Sequence, residues 1–555
     1  MKNFNYRYLF WFLLILALAG ILRLYDLGRA DVINDEALIA FRSIGYIDFF
    51  SSPYQTTPWE WFSDVPSWAR LSFHDHPPLT FVIQHLFFRI LGVNIISLRL
   101  PFALAGIGSV FLLYLVGKEL FSQQAGLIAS VLMAVSSYHV WISRTGLQES
   151  LVIFFSLLTL WLFLCSLKNG RHWCWGIALG LALLTKYTTF VLLPILIIYL
   201  LFFRREILTN KKFWLGIILA VIIFSPVIIY NVKLYQATGH FDLQFSYLLR
   251  QEVNEWQSLP GKEQAGDFMD RLNNLIPSIY NGFLWPIFSL FILALIYFGQ
   301  QSIKNKNDFE KSDNLRLLII AIVLHLLFFL LIGTSKRFVT LLIPFVILFV
   351  AWLISNFPKA IKILAILFLV AIEIFFSGNT LLTYQPIGRQ GLTYSYLDVE
   401  NYNWGYNQLD QYLDQILAGK KPAFSLETRY QFLENIRKNS LNQAKNKPEL
   451  AALIIYDPNF YDLATFWTFH RRLVYGGWPV VTADVYLLQG KDFWTSQGIT
   501  DFYLFKIRDP LILSQPVGQL SASADELASQ LADISPTIIK RPDGREVFEV
   551  YYWQD

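Results

Sequence analysis

Up to residue 379 the chain alternates long apolar runs with short, mostly basic turns; beyond it the runs shorten and charge returns. A hydrocarbon core of ~30 Å needs about 20 apolar residues in helical form. Runs near that length lie at 8–22, 99–117, 124–141, 149–167, 172–185, 188–203, 213–231, 281–299, 315–333, 338–355 and 360–377. One further stretch, 80–91, sits between Pro78 and Gly92 and carries Gln84, His85 and Arg89. As a helix it reaches only about 18 Å, but the run at 172–185 is hardly longer, so length does not separate them. Charge does. The turns holding Lys118, Lys168 and Arg171, Arg204 and Arg205 with Lys211 and Lys212, Lys304, Lys306 and Lys311, and Lys359 and Lys362 share a side with Lys2 and Arg7 only if 80–91 does not cross. Basic turns mark the cytosolic side. The pattern therefore predicts about eleven spans, a re-entrant or interfacial 80–91, a cytoplasmic N-terminus and an exterior C-terminus.

Two exterior intervals within residues 1–379 are too long for simple connectors, 23–98 and 232–280, and the second mixes aromatic residues with Glu252 and Glu255 as an interfacial roof would. Residues 380–555 read as a separate exterior α/β domain. Its apolar segments Leu453–Tyr456 and Phe502–Phe505 are strand-like, and Pro542-Asp543-Gly544 is a turn between strands at 537–540 and 547–552. Ser523 to Glu526 has the spacing of a capping box for a helix to about Leu531. The fold class is thus mainly α: a polytopic helical bundle with a C-terminal soluble α/β domain.

Composition agrees. The chain is 55% hydrophobic and 15% charged, against about a quarter charged in soluble proteins. A net charge of +4 is too small to argue for nucleic acid. Cys165 and Cys174 flank a basic turn and form no disulfide framework. The first apolar run has no small-residue cleavage site, so it reads as a retained anchor.

Chemistry concentrates on the exterior face. Asp35 and Glu36 follow the first span; Arg144 and Glu149 flank one turn, Lys186 ends another span and Arg337 lies at 334–338. Carboxylates at a membrane surface can act as bases or hold cations. Each residue also has a plainer use. The acids favour the positive start of a helix over Ala37–Phe50, and each cation taken singly can snorkel to lipid phosphate. Basic charge kept on the side that spans disfavour nevertheless points to an anionic ligand. His74, Asp75 and His76 invite a divalent metal. Alternate residues of an extended chain face opposite ways, however, so a hydrogen-bonded turn before Pro77-Pro78 is the simpler use, and a metal ion stays open as a cofactor.

Taken in order, Asp35-Glu36, His76-Pro77-Pro78-Leu79, Leu98-Arg99-Leu100-Pro101, Ser143-Arg144 with Glu149, Gly180 to Lys186, and Lys336-Arg337 with Leu342-Ile343-Pro344 resemble the GT-C class of polytopic glycosyltransferases. Within it they resemble the family of protein O-mannosyltransferases and lipid A aminoarabinose transferases (glycosyltransferase family 39). The likeness is strong over 20–235, thinner to 380 and absent beyond. It implies transfer of a hexose or pentose from a polyprenyl-phosphate donor to a lipid, glycan or protein acceptor at the outer membrane face, with inversion. It implies Asp35 as base, Glu36 as its helper or an acceptor ligand, and Lys186, Arg337 and more weakly Arg144 on the donor phosphate. Glu149 stands where relatives carry Asp. The rival classes are a transporter, a non-catalytic glycan-binding membrane protein and a polymerase or ligase using a diphosphate-linked donor. Transporters place charges at the midplane in repeated halves, and this chain shows no internal repeat.

Overall fold

The structure is a computed structural model that describes residues 6–50, 52, 55–256, 266–304, 309–388, 403–428, 430–509 and 520–555. Lys2 and Lys306 lie outside the described residues. Every apolar run predicted to span coincides with helix, beginning with α1 (Tyr6–Leu24) and ending with Lys359–Leu381. Among the described residues six helices are long and apolar enough to cross a membrane, or eight if each of two bent pairs counts as one span. Reaching eleven requires α1, Trp173–Leu183 and Tyr187–Phe203 to cross as well; all three are apolar but shorter. Among the described residues several basic turns meet: Lys168 pairs with Glu119 at 2.6 Å, Lys362 bonds Gln124, Arg204 lies 3.8 Å from Asp313, and Asn314 donates to the Leu120 carbonyl at 2.5 Å.

The short stretch at 80–91 is a helix, Leu79–Leu91, with an unusual sidedness. Val82, Leu86 and Ile90 form an exposed apolar stripe, while Thr80 and Gln84 are buried. Gln84 donates to the carbonyl of Leu98 and His85 contacts that of Ser43. The outward stripe is apolar while Thr80 and Gln84 bury beside Phe81 and Phe88, as for a helix seated at a lipid boundary.

Small residues let the short spans pack. A Cβ on Gly176 would stand 2.0 Å from the Gly216 carbonyl oxygen, so Trp173–Leu183 and Lys211–Thr238 touch backbone to backbone there, as membrane helices do at small residues. A different device bends the third apolar run. Gln123–Val135 and Ser137–Arg144 meet at 59°, and the amide and hydroxyl of Ser137 both donate to the buried Glu373 carboxylate, at 2.8 and 2.7 Å. The break frees backbone groups in a dry region, and Glu373 satisfies one of them.

The interval 23–98 is a folded structure. Helix α2 (Asp35–Gly45) starts at Asn34, whose side chain accepts the Glu36 amide at 2.9 Å. It ends at Gly45, short of the expected Phe50, because Tyr46 turns left-handed at φ 49°. After Lys211–Thr238 come a short helix, Leu243–Leu248, and the amphipathic helix Phe268–Asn281.

The C-terminal domain holds β1 (Lys421–Pro422) and β2 (Glu449–Leu450) as a small parallel pair. Beside them lies a mixed sheet of β3 (Ala452–Tyr456), β4 (Val480–Thr482), β5 (Asp501–Ile507), β6 (Thr537–Lys540) and β7 (Glu546–Gln554) in the order β4-β3-β5-β7-β6. Strand β3 is apolar throughout because both its faces are covered: Ile454 enters one core, Leu453 and Ile455 the other. β6 and β7 pair antiparallel around the expected Pro542–Gly544 turn. The helix after Ser523 forms (Ser523–Gln530), but Ser523 is its first residue and not its cap, so the expected capping box is absent; its hydroxyl pairs with that of Ser521.

The close approach at Gly176 sets a test. Gly176→Leu inserts a branched side chain where two backbones meet, a form of overpacking that costs ~1–3 kcal/mol or more. The expected result is a lower thermal unfolding midpoint in detergent; Ala178→Leu tested beside it separates backbone contact from general crowding.

Candidate active site

Successive helical residues point about 100° apart, and α2 uses that angle to divide its two acids. Glu36 is 1% exposed and turns inward, where Arg99 donates at 2.6 and 3.2 Å and the Gly146 amide at 2.6 Å. Asp35 turns outward and is met by a guanidinium nitrogen of Arg337. Its side chain stays 46% exposed. Arg337 stands in the single helical turn Lys336–Val339, whose start is fixed by the Ser335 hydroxyl accepting the Phe338 amide.

A second ion pair lies beside the first. Lys186 occupies an extended break between Trp173–Leu183 and the turn Tyr187–Val191, and its Nζ reaches Glu149 Oε1 at 2.7 Å. The same ammonium sits 5.5 Å over the Phe338 ring, next to Arg337 in sequence. The amide of Leu79 and the hydroxyl of Thr80 bond the carbonyls of Leu184 and Thr185, which ties the His76 loop to the Lys186 segment. Charge links all of these groups. Arg337, offset in part by burial and helped by Lys186 and His76, holds the Asp35 carboxyl below its ordinary value, and Arg337 acts on Glu149 as well. Asp35, Glu149, Lys186 and Arg337, from four distant parts of the chain, thus share one cluster, with His76 at its edge.

Two nominated residues stand elsewhere. Glu36 is sequestered with Arg99. Arg144 points away from the cluster and donates to the carbonyls of Leu22, Arg23, Tyr25 and Asp26, where it satisfies the end of α1 and meets the negative pole of that helix. Neither placement is readable from sequence, since an arginine near a turn serves a phosphate and a helix end equally well.

Sequence reasoning singled out His74 and Asp75 but missed Arg42, Asp48 and Gln55, which join them in a buried network. Arg42 binds Asp75 at 2.9 and 3.1 Å and lies 3.7 Å from Asp48. His74 Nδ1 contacts Asp48 at 2.8 Å, and Gln55 meets its other ring nitrogen. Burial works to lower the His74 imidazole, but Asp48 and Asp75 together outweigh it and raise its pKa. Asp48, His74 and Asp75 offer donor atoms close enough for a metal ion. They fit one poorly, because both His74 nitrogens are engaged and Arg42 already neutralises the two carboxylates. His76 differs: its Nδ1 lies 3.1 Å from Asp75 and its side chain is 26% exposed. The two histidines therefore do not join in one ligand set.

Residues 75–230 match the family model described as dolichyl-phosphate-mannose-protein mannosyltransferase, an interval holding His76, Glu149 and Lys186. Structural likeness extends over nearly the whole chain. The crystal structure of ArnT from Cupriavidus metallidurans bound to undecaprenyl phosphate superposes with a TM-score of 0.55 at 12% identity, covering 97% of this chain and 98% of that one. The fold is that of the GT-C membrane glycosyltransferases. Two Bacillus subtilis (strain 168) proteins with the provisional names mannosyltransferase YkcB and mannosyltransferase YycA are 27% identical over 289 residues and 32% identical over 206. The matches take in 48% and 36% of this chain but only 38% and 28% of those proteins, so the chain spans about a third of the length of the curated relatives it matches.

The two acids of α2 should separate in experiment. Glu36→Gln leaves Arg99 buried without its counter-charge, a loss of about 3–5 kcal/mol, and should lower the unfolding midpoint in detergent. Asp35→Asn, at a half-exposed position, should leave that midpoint nearly unchanged.

Proposed function

We propose that this chain is an inverting glycosyltransferase that moves a sugar from a polyprenyl-phosphate donor to an acceptor hydroxyl or amine at the outer face of the membrane. One observation carries the reading: Asp35 with Arg337 and Glu149 with Lys186 form adjacent ion pairs in a single cluster. The names of the relatives, and the polyprenyl phosphate in the ArnT structure, make polyprenyl-phosphate mannose the first donor to test.

In this scheme the acceptor attacks the anomeric carbon as the bond to the phosphate oxygen breaks, and the electron pair leaves on the carrier phosphate. Lys186 and Arg337 stabilise that growing negative charge, Lys186 as a point charge and Arg337 through its planar fork. The acceptor proton passes to Asp35. Glu149 keeps Lys186 in place. The Asp35–Arg337 contact adds a timing device: donor phosphate competes for the guanidinium, and as Arg337 turns to it Asp35 loses its strongest stabilising charge and becomes a stronger base. The N-terminus is then cytoplasmic and the C-terminal domain exterior. The acceptor stays open among lipid, glycan and protein.

Purified protein incubated with polyprenyl-phosphate sugars should release free carrier phosphate. Asp35→Asn should cut turnover by about 10²–10⁴-fold, the range for a general base; unchanged transfer or unchanged cellular function in that variant would favour a non-catalytic or transport role. The pH dependence of kcat/KM reports the free enzyme, and Arg337 holds the free-enzyme Asp35 pKa down. Activity should therefore persist to acidic pH and fail as pH drops through that lowered pKa. Arg337→Gln should move the acid limb to higher pH as well as slow the reaction.

A further inference from the structure

Four residues before Asp35 the chain is gripped by the C-terminal domain. The Asp31 carboxylate, 1% exposed, accepts the backbone amides of Trp404, Gly405 and Asn407 at 2.5, 2.9 and 3.0 Å. These amides open the helix Tyr406–Leu417, which has no side-chain cap of its own, so Asp31 caps it from the far end of the sequence and lies at its positive pole. The grip is returned: the Asn407 side-chain amide donates to the carbonyls of Gly28 and Ala30 at 2.9 and 2.8 Å. Two residues on, Ile33 is wholly buried within the hydrophobic core of the C-terminal domain, among residues such as Tyr406, Leu409 and Phe548. Asn34 then caps α2, and Asp35 follows.

The domain also holds the body of α2. The Tyr475 hydroxyl donates to the Phe41 carbonyl at 2.7 Å, and the Phe41 ring packs on Phe466 at 5.2 Å. Trp467 shares a cluster with Val32, Ala37 and Ala40. From the membrane side Arg99 binds the carbonyls of Leu27 and Asp31 as well as Glu36. The backbone on either side of Asp35 is therefore fixed from both directions, while the Asp35 side chain stays 46% exposed and meets Arg337.

We propose that Asp31 and Ile33 are positioning residues for Asp35, and that the C-terminal domain is half of the mount that aims this carboxylate at the reacting atoms. The proposal rests on the assignment of Asp35 as base. A shift of about 1 Å in a reacting group costs as much as 10²-fold in rate, so loosening this mount should be read in turnover rather than in donor affinity.

The test uses the full chain in detergent with polyprenyl-phosphate mannose, and counts only folded protein. Asp31→Asn replaces a capping carboxylate with an amide that has one acceptor oxygen; Ile33→Ala empties the plug. Each should lower kcat by about 10–100-fold, leave the donor KM within about twofold, and move the acid limb of kcat/KM to higher pH as the Asp35–Arg337 pair loosens. Leu527→Ala, in the domain's other core, should lower the unfolding midpoint and leave kcat and the pH profile alone. If Asp31→Asn yields no folded protein, Ile33→Val takes its place, with a smaller loss in the same direction. Wild-type kcat in folded Asp31→Asn or Ile33→Val, with Asp35→Asn inactive, overturns the positioning role alone. Full activity in Asp35→Asn overturns the base assignment and this role with it.

Discussion

Everything at the candidate site depends on how α2 treats two neighbouring carboxylates. Glu36 is driven inward and matched by Arg99 and a backbone amide; Asp35 is left at the surface and matched by Arg337. A buried carboxylate without a partner is expensive, and so is a buried guanidinium. The Glu36–Arg99 pair therefore holds only in one register of α2, and in that register Asp35 faces Arg337. The inner acid thus sets the direction of the outer one. The capping of α2 by Asn34 and the clasp on Asp31 act on the same few residues, so Asp35 sits on a segment held from both sides.

Charge balance explains the surroundings. Arg42 with Asp48 and Asp75, Glu149 with Lys186, and Arg144 against the carbonyls at the end of α1 are all groups that water does not solvate well. Each has found either an opposite charge or a row of dipoles. The pairs differ in exposure: Asp35 and Arg337 are partly open, whereas Glu149 with Lys186, like Asp48 with Arg42, is closed. Exposed pairs are held weakly, which suits groups that must exchange one partner for a substrate.

Much of this was legible before the fold was known, for a physical reason. Apolar runs of membrane length are unambiguous, and each fell on helix. Charge retained at the ends of those runs singled out Asp35, Glu149, Lys186 and Arg337, which the structure brings together. What sequence does not carry is side-chain direction. Adjacent acids look alike until the helix assigns one to the interior, and Arg144 looked like a phosphate ligand until its carbonyl partners were visible. His74 and His76, expected to face opposite ways, do sit in different surroundings, but the partners of His74 at Asp48 and Gln55 were not foreseen. Asp31 gave no signal at all, because its partners lie at 404–407, beyond any local pattern. The end of α2 at Gly45 was missed because the left-handed turn falls at Tyr46, a residue type that does not announce it.

The account turns on Lys186 and Arg337 facing one phosphate. The most direct measurement is a double-mutant cycle on the binding of undecaprenyl phosphate, comparing the wild type, Lys186→Gln, Arg337→Gln and the double variant at fixed salt. Groups that share a ligand atom or its neighbour are non-additive. The account predicts that each single change weakens binding by at least about tenfold, on the scale of a charge-assisted hydrogen bond, and that the double change weakens it by clearly less than the product. Unchanged affinity in both single variants would contradict it.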